Sequence, residues 1–91
     1  MSKAYTAYER ALAVHIGKRI EARRRFLRLT QKRLAQMLDL KCYQHIYRYE
    51  SGQYMISATR FAAIAHALNM PMDHFVQGFT FAPEPTNVIP S

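Results

Sequence analysis

Apolar residues recur along most of this chain at intervals of three and four, the spacing that gathers them on one side of an α-helix. From Glu9 to about Leu27 the stripe runs Leu12, Ile16, Ile20 and Leu27, with Ala13 and Phe26 beside it, and predicts a long first helix. Gly17 inside that helix costs about 1 kcal/mol relative to alanine, so its presence suggests a second helix crossing close by. A second, shorter helix begins after Thr30, whose hydroxyl can accept from an unpaired amide of the first turn; Leu34, Ala35, Met37 and Leu38 make its apolar side and Lys32, Arg33 and Gln36 its polar side. A third ends at Gly52, placed where the chain needs positive φ. Ser57 is suited to cap a fourth, in which Phe61, Ile64, Ala65 and Leu68 give a core-facing pattern and leave His66 outside. Asn69 suits a left-handed helix end, and Pro71 suits the start of a fifth helix, Met72 to about Gln77, with Phe75 and Val76 inward and Gly78 as its stop. The chain is therefore expected to be all-α, a compact five-helix bundle.

Three segments follow from this pattern. Residues 1–8 read as a loose arm or a frayed helix start, residues 9–78 as the folded domain, and residues 79–91 as an extended or disordered tail, because Pro83, Pro85 and Pro90 interrupt it and no periodicity survives. Phe79 and Phe81 lie on one side of an extended stretch, where they either pack on the domain or pair with a second copy.

The third helix carries the most information. Stepping about 100° per residue from Tyr43 puts Cys42, Ile46 and Tyr49 at roughly 260°, 300° and 240°, a core stripe. Tyr43, Tyr47, Gln44 and Arg48 fall at roughly 0°, 40°, 100° and 140°, an outward face of two phenols, an amide and a guanidinium. Such groups hydrogen-bond base edges and phosphates, and no acid stands among them. His45 lies on the far flank. Taken singly, each feature has a plainer explanation: any small helical protein has amphipathic helices, and exposed tyrosines are also frequent in protein interfaces.

Charge changes that balance. Lys and Arg number 13 against 6 Asp and Glu, a formal net charge of +7, and eleven of the basic residues lie between Arg10 and Arg48, where the acids are Glu21 and Asp39 alone. A positive field this concentrated favours a polyanion. A membrane surface would attract it too, but insertion needs a free apolar face, and these faces are needed for the core. Of Arg23, Arg24 and Arg25, which spread around the first helix, at least one must point away from any polyanion while one or two can meet phosphates.

Other chemistries find little support. The 91 residues suffice for one domain with a single core. The single cysteine, Cys42, forms no internal disulfide and is expected as a small buried hydrophobe, in keeping with a reducing cytoplasm. His15, His45, His66 and His74 lack metal-ligand spacing, and neither a carboxylate pair nor a phosphate-cradling glycine loop appears. No run of about eighteen apolar residues is present for a membrane span, and no signal-like N-terminus. The expectation is a cytoplasmic protein that is no enzyme and has no metal, cofactor or small-molecule ligand.

The stretch IGKRIEARRRFLRLTQKRLAQML, followed by IYRYESGQYMISATRFAAIAHALNMPMDHFVQG, resembles the phage-repressor, Cro and XRE-type helix-turn-helix family over about Ile16 to Gly78. The resemblance rests on Ile16-Gly17 and Ile20, Thr30-Gln31, Leu34-Ala35, Tyr49-Glu50 with Gly52, and Ile64-Ala65 with Leu68. It implies a repressor-like bundle whose third helix enters double-stranded DNA, with Tyr43, Gln44, Tyr47 and Arg48 at base edges. It further implies phosphate contacts from Gln31 and from the Gln53-Tyr54 loop, to which Lys32, Lys41 and Arg24 are added as basic candidates. Two-fold symmetric operators and homodimers are usual in the family. The family commonly has glycine where this chain has Asp39, and the stretch from Leu38 to Glu50 is one residue longer than its common spacing. Counting back from Tyr49-Glu50 places Tyr43 and Gln44 at the reading positions; counting forward from Leu34-Ala35 places Cys42 and Tyr43 there. The helical wheel favours the first, with the extra residue in the corner near Lys41.

Two kinds of function are compatible with these residues. One is a sequence-specific transcription regulator, in the form of a dimeric repressor. The other is an antitoxin-like or adaptor module whose aromatic face and Phe79/Phe81 segment meet a protein partner, with or without promoter binding.

Overall fold

A computed structural model describes residues 6–81 of the chain. The helices run α1 Ala7–Phe26, α2 Gln31–Met37, α3 Gln44–Ser51, α4 Ala58–Ala67 and α5 Met72–Val76. The proline-bearing part of the tail, residues 82–91, and most of the expected arm, residues 1–5, lie outside the described residues.

Side-chain caps fix three of the helix starts. The Thr30 hydroxyl accepts from the Arg33 amide and the Ser57 hydroxyl from the Arg60 amide, both as the sequence suggests. α1 begins two residues before the expected Glu9. Thr6 accepts from the Glu9 amide while the Glu9 carboxylate accepts from the Thr6 amide at 2.8 Å, so a reciprocal capping box holds the turn read above as a loose arm or a frayed helix start.

The helix ends share one device. After each of α1, α2, α3 and α4 comes a residue with positive φ: Arg28 at 61°, Asp39 at 59°, Gly52 at 81° and Asn69 at 58°. The next amide then reaches back five residues, Leu29 to Arg24, Leu40 to Ala35, Gln53 to Arg48 and Met70 to Ala65, closing otherwise unpaired carbonyls. Leu29, Leu40 and Met70 also pack on the core, the apolar contact that accompanies this cap. Asp39 thus takes the conformation for which glycine is the usual choice. The α2–α3 corner runs from Leu38 to Tyr43.

One or two residues from every helix build the centre: Ile20, Leu34, Ile46, Ile64, Leu68 and Phe75 are fully buried, with Ala35 and Ala65 beside them. Gly17 lies where α1 crosses the end of α3; a Cβ there would stand 2.5 Å from the Tyr49 carbonyl oxygen, and closer still to that of Glu50. The close crossing inferred from this glycine is therefore real, and it fixes the tilt of α3. Two apolar expectations fail. Phe26 is 73% exposed, because α1 ends on it and Leu27 takes the inward place. Cys42 is half-buried rather than core, because α3 begins only at Gln44 and leaves the cysteine in the corner.

Phe79 and Phe81 pack on the domain. Their rings stand edge-on to Tyr8, with centroids 5.5 Å and 5.4 Å away, and Phe79 also leans on His15. Tyr8 and Phe81 nonetheless stay 48% and 38% exposed, so this end of the molecule presents aromatic surface to solvent.

Candidate nucleic-acid interface

The exposed side of α3 is the one its wheel predicts. Tyr43, Gln44 and Tyr47 are exposed, Arg48 is half-buried at the edge of the same face, and Ile46 is buried behind them. Tyr43 occupies the N-cap position with α-helical φ and ψ and no side-chain cap, which leaves its phenol free. The Cys42 thiol donates to the Gln44 side-chain oxygen.

Around this face Lys32, Lys41, Gln53 and Tyr54 are all exposed, as surface cations and polar groups facing a phosphate backbone need to be. Arg24 is not among them. It is 6% exposed, and its guanidinium donates to Glu50 from Nε at 2.6 Å and from Nη2 at 3.1 Å, and from Nη1 to the Leu29 carbonyl at 2.7 Å. The assignment of Arg24 to phosphate is therefore corrected. Gly17, Ile20 and Arg24 are spaced i, i+3, i+7 on the one buried face of α1, and an arginine there must find a carboxylate inside.

Gln31 is modified in the same way. Its Nε2 donates to Glu50 Oε1 at 3.0 Å, so its side chain is turned toward the ion pair and retains one amide hydrogen for an outside acceptor. Glu50 thus receives donors from α1 and α2 while belonging to α3, and three helices meet at one carboxylate. Its role was missed because the sequence shows it only as an acid near a helix end. The signal was its arginine on the core stripe.

Other basic residues of α1 serve the fold as well. His15, Arg19 and Arg23 form an i, i+4 row whose side chains reach the carbonyls of Gln77, His74 and Leu68, each at 2.9 Å, at the C-terminal ends of α5 and α4. Arg25 pairs with Glu21 on the surface. Their charge still adds to the field, but these side chains are engaged within the domain.

Among the described residues no cluster of His, Cys, Asp or Glu could hold a metal ion, and no helix is long and apolar enough to cross a membrane.

A helix-turn-helix family model matches residues 20–75. A transcriptional regulator in the ATPase CF(0) region of Rhodospirillum rubrum is 43% identical over 61 residues, covering 67% of this chain and 56% of that protein. An HTH-type transcriptional regulator of Sinorhizobium medicae is 34% identical over 64 residues, 70% of this chain and 45% of its own length. One from Rickettsia conorii is 34% identical over 73 residues, 80% of this chain and 58% of its own. This chain thus spans about half the length of the curated relatives it matches. The crystal structure of the restriction-modification controller protein C.AhdI from Aeromonas hydrophila superposes with a TM-score of 0.65 at 25% identity, covering 69% of this chain and 94% of that one.

Proposed function

From the premise that this chain belongs to the helix-turn-helix family, of the phage-repressor, Cro and XRE type, we propose that it is a sequence-specific, double-stranded DNA-binding transcription regulator. We further propose that it acts as a repressor, binding a two-fold symmetric operator as a homodimer. The observation that carries this reading is the exposed face of α3, with Tyr43, Gln44, Tyr47 and Arg48 on one side of a helix whose opposite side is anchored in the core.

α3 enters the major groove, which is wide enough for a helix and presents a distinct donor and acceptor pattern for each base pair. Arg48 donates two hydrogen bonds to O6 and N7 of a guanine, and Gln44 pairs with adenine through its amide. Tyr43 meets a base edge, and Tyr47 beside it meets a phosphate or a thymine methyl. Lys32, Lys41, Gln53 and the hydroxyl of Tyr54 hold the sugar-phosphate strands, together with the remaining hydrogen of Gln31, and set the register without reading sequence. In the dimer the two α3 helices stand about 34 Å apart, one turn of B-form DNA. The aromatic end made by Tyr8, Phe79 and Phe81 supplies apolar surface for the second copy. The family is one of regulators rather than enzymes, and the reading includes no catalytic step.

Mapping of occupied sites across a genome, followed by salt-dependent binding to one mapped duplex and to a scrambled copy, tests this. A specific regulator prefers the mapped site by about 10³-fold or more at physiological salt. Equal affinity for both duplexes would contradict it.

A further inference from the structure

We propose that the ring of Tyr54 is a positioning element for Arg48, so that a residue outside the recognition helix sets how sharply that arginine discriminates bases. This rests on the reading of Arg48 as a base contact. The Arg48 guanidinium carbon lies 5.4 Å from the centroid of the Tyr54 ring, on its face. The same ring stands edge-on to Tyr49, centroid to centroid 6.3 Å at 68°, and Tyr49 packs on the hydrophobic core. A continuous stack therefore runs from the core through Tyr49 and Tyr54 to the arginine.

The turn that brings Tyr54 back is itself held. Gln53 donates its amide to the Arg48 carbonyl at 3.0 Å, Gly52 supplies the left-handed residue that this closure needs, and a Cβ at Gly52 would press on Val14 of α1. Residue 54 is thus returned to the level of residue 48. Among the described residues Arg48 has no carboxylate partner that could pull its side chain elsewhere.

Stacking and base recognition use different parts of a guanidinium. The ring attracts the cation through its flat face, while the five N–H donors project from the edge and stay available for O6 and N7 of guanine. An arginine stacked before DNA arrives has fewer rotamers to lose on binding. That advantage is realised only where the correct base accepts its edge, so the stack sharpens discrimination rather than raising affinity everywhere. The hydroxyl of Tyr54 remains a separate group, free to meet a phosphate.

The two roles separate in variants. For each protein the ratio of affinities is measured between a mapped operator and the same operator with the guanine opposite Arg48 replaced. Tyr54→Leu is expected to lower this ratio by about two- to fivefold, the contribution of one exposed cation–π contact. Tyr54→Phe keeps the ratio while weakening binding to both duplexes alike. With Arg48→Ala already in place, Tyr54→Leu no longer changes the ratio. A uniform loss from Tyr54→Leu, or an unchanged effect of Tyr54→Leu in the Arg48→Ala protein, would overturn the proposal. Should Arg48→Ala alone leave discrimination intact, the base-reading role of Arg48 fails, and the specificity role of Tyr54 with it. Side-chain resonances of Arg48 in the DNA-free protein report the stack independently: it requires that they move with Tyr54→Leu and hold with Tyr54→Phe.

Discussion

Replacing Glu50 with leucine isolates the contact on which the orientation of α3 depends. The carboxylate takes two charge-assisted hydrogen bonds from Arg24, at 2.6 Å and 3.1 Å, and one from Gln31 at 3.0 Å, and the paired side chains are 8% and 4% exposed. Removing one partner of a buried pair leaves the other charge uncompensated and costs about 3–5 kcal/mol. Arg24 would keep its bond to the Leu29 carbonyl, so we expect the lower end, about 3 kcal/mol. Domains have about 0.05–0.15 kcal/mol per residue, which puts the total here at about 5–14 kcal/mol, and at the low end the variant is left marginal. Replacing both partners, Arg24→Met with Glu50→Leu, removes the stranded charge and should restore most of the loss. Urea titration followed by circular dichroism reads this as a shift in midpoint at constant slope. A Glu50→Leu shift worth less than about 1 kcal/mol, or a double variant as unstable as the two single losses added, would refute the reasoning.

Gly17→Ala should destabilise by about 1–3 kcal/mol despite alanine's better helix propensity, since its Cβ meets the Tyr49 and Glu50 carbonyls; thermal unfolding checks this, and a gain would contradict the close crossing. Asp39→Gly should stabilise by about 0.5–1 kcal/mol, because a left-handed residue at 59° loses its Cβ conflict, whereas Asp39→Val should destabilise in the same urea assay. Thr6→Ala should cost about 0.5–2 kcal/mol and speed amide exchange in the first turn of α1 only. Lys32→Ala and Lys41→Ala should each weaken binding equally on all duplexes and reduce the slope of log affinity against log salt by about 1, measured by titration at several salt concentrations.

Much of this architecture could be read from spacing because local chemistry decided it. Thr30, Ser57, Asn69 and Gly52 act where the sequence suggested, since a cap or a left-handed residue is determined by its immediate neighbours. Two equally local signals went unread. Thr6 to Glu9 is a capping-box sequence, and Leu27-Arg28-Leu29, Leu38-Asp39-Leu40 and Leu68-Asn69-Met70 repeat one pattern of leucine, left-handed residue and apolar residue that marks the ends of α1, α2 and α4. The remainder was set by packing between helices. A wheel shows that three consecutive arginines diverge, but only the tertiary fold brings Arg24 to Glu50, Arg23 to the Leu68 carbonyl and Arg25 to Glu21. For the same reason the outward face of α3 was legible from one helix alone, while the bracing of Arg48 by Tyr54 required the path of the following loop.

The most direct test of the central reading, that the α3 face meets base edges in the major groove, is a scan of 7-deazaguanine through a mapped operator. This base lacks only the N7 acceptor and keeps Watson–Crick pairing. At one guanine in each half-site the substitution should weaken binding by about 1–3 kcal/mol, and that loss should vanish in the Arg48→Ala protein. Undiminished affinity at every substituted guanine, or the same loss with and without Arg48, would contradict it.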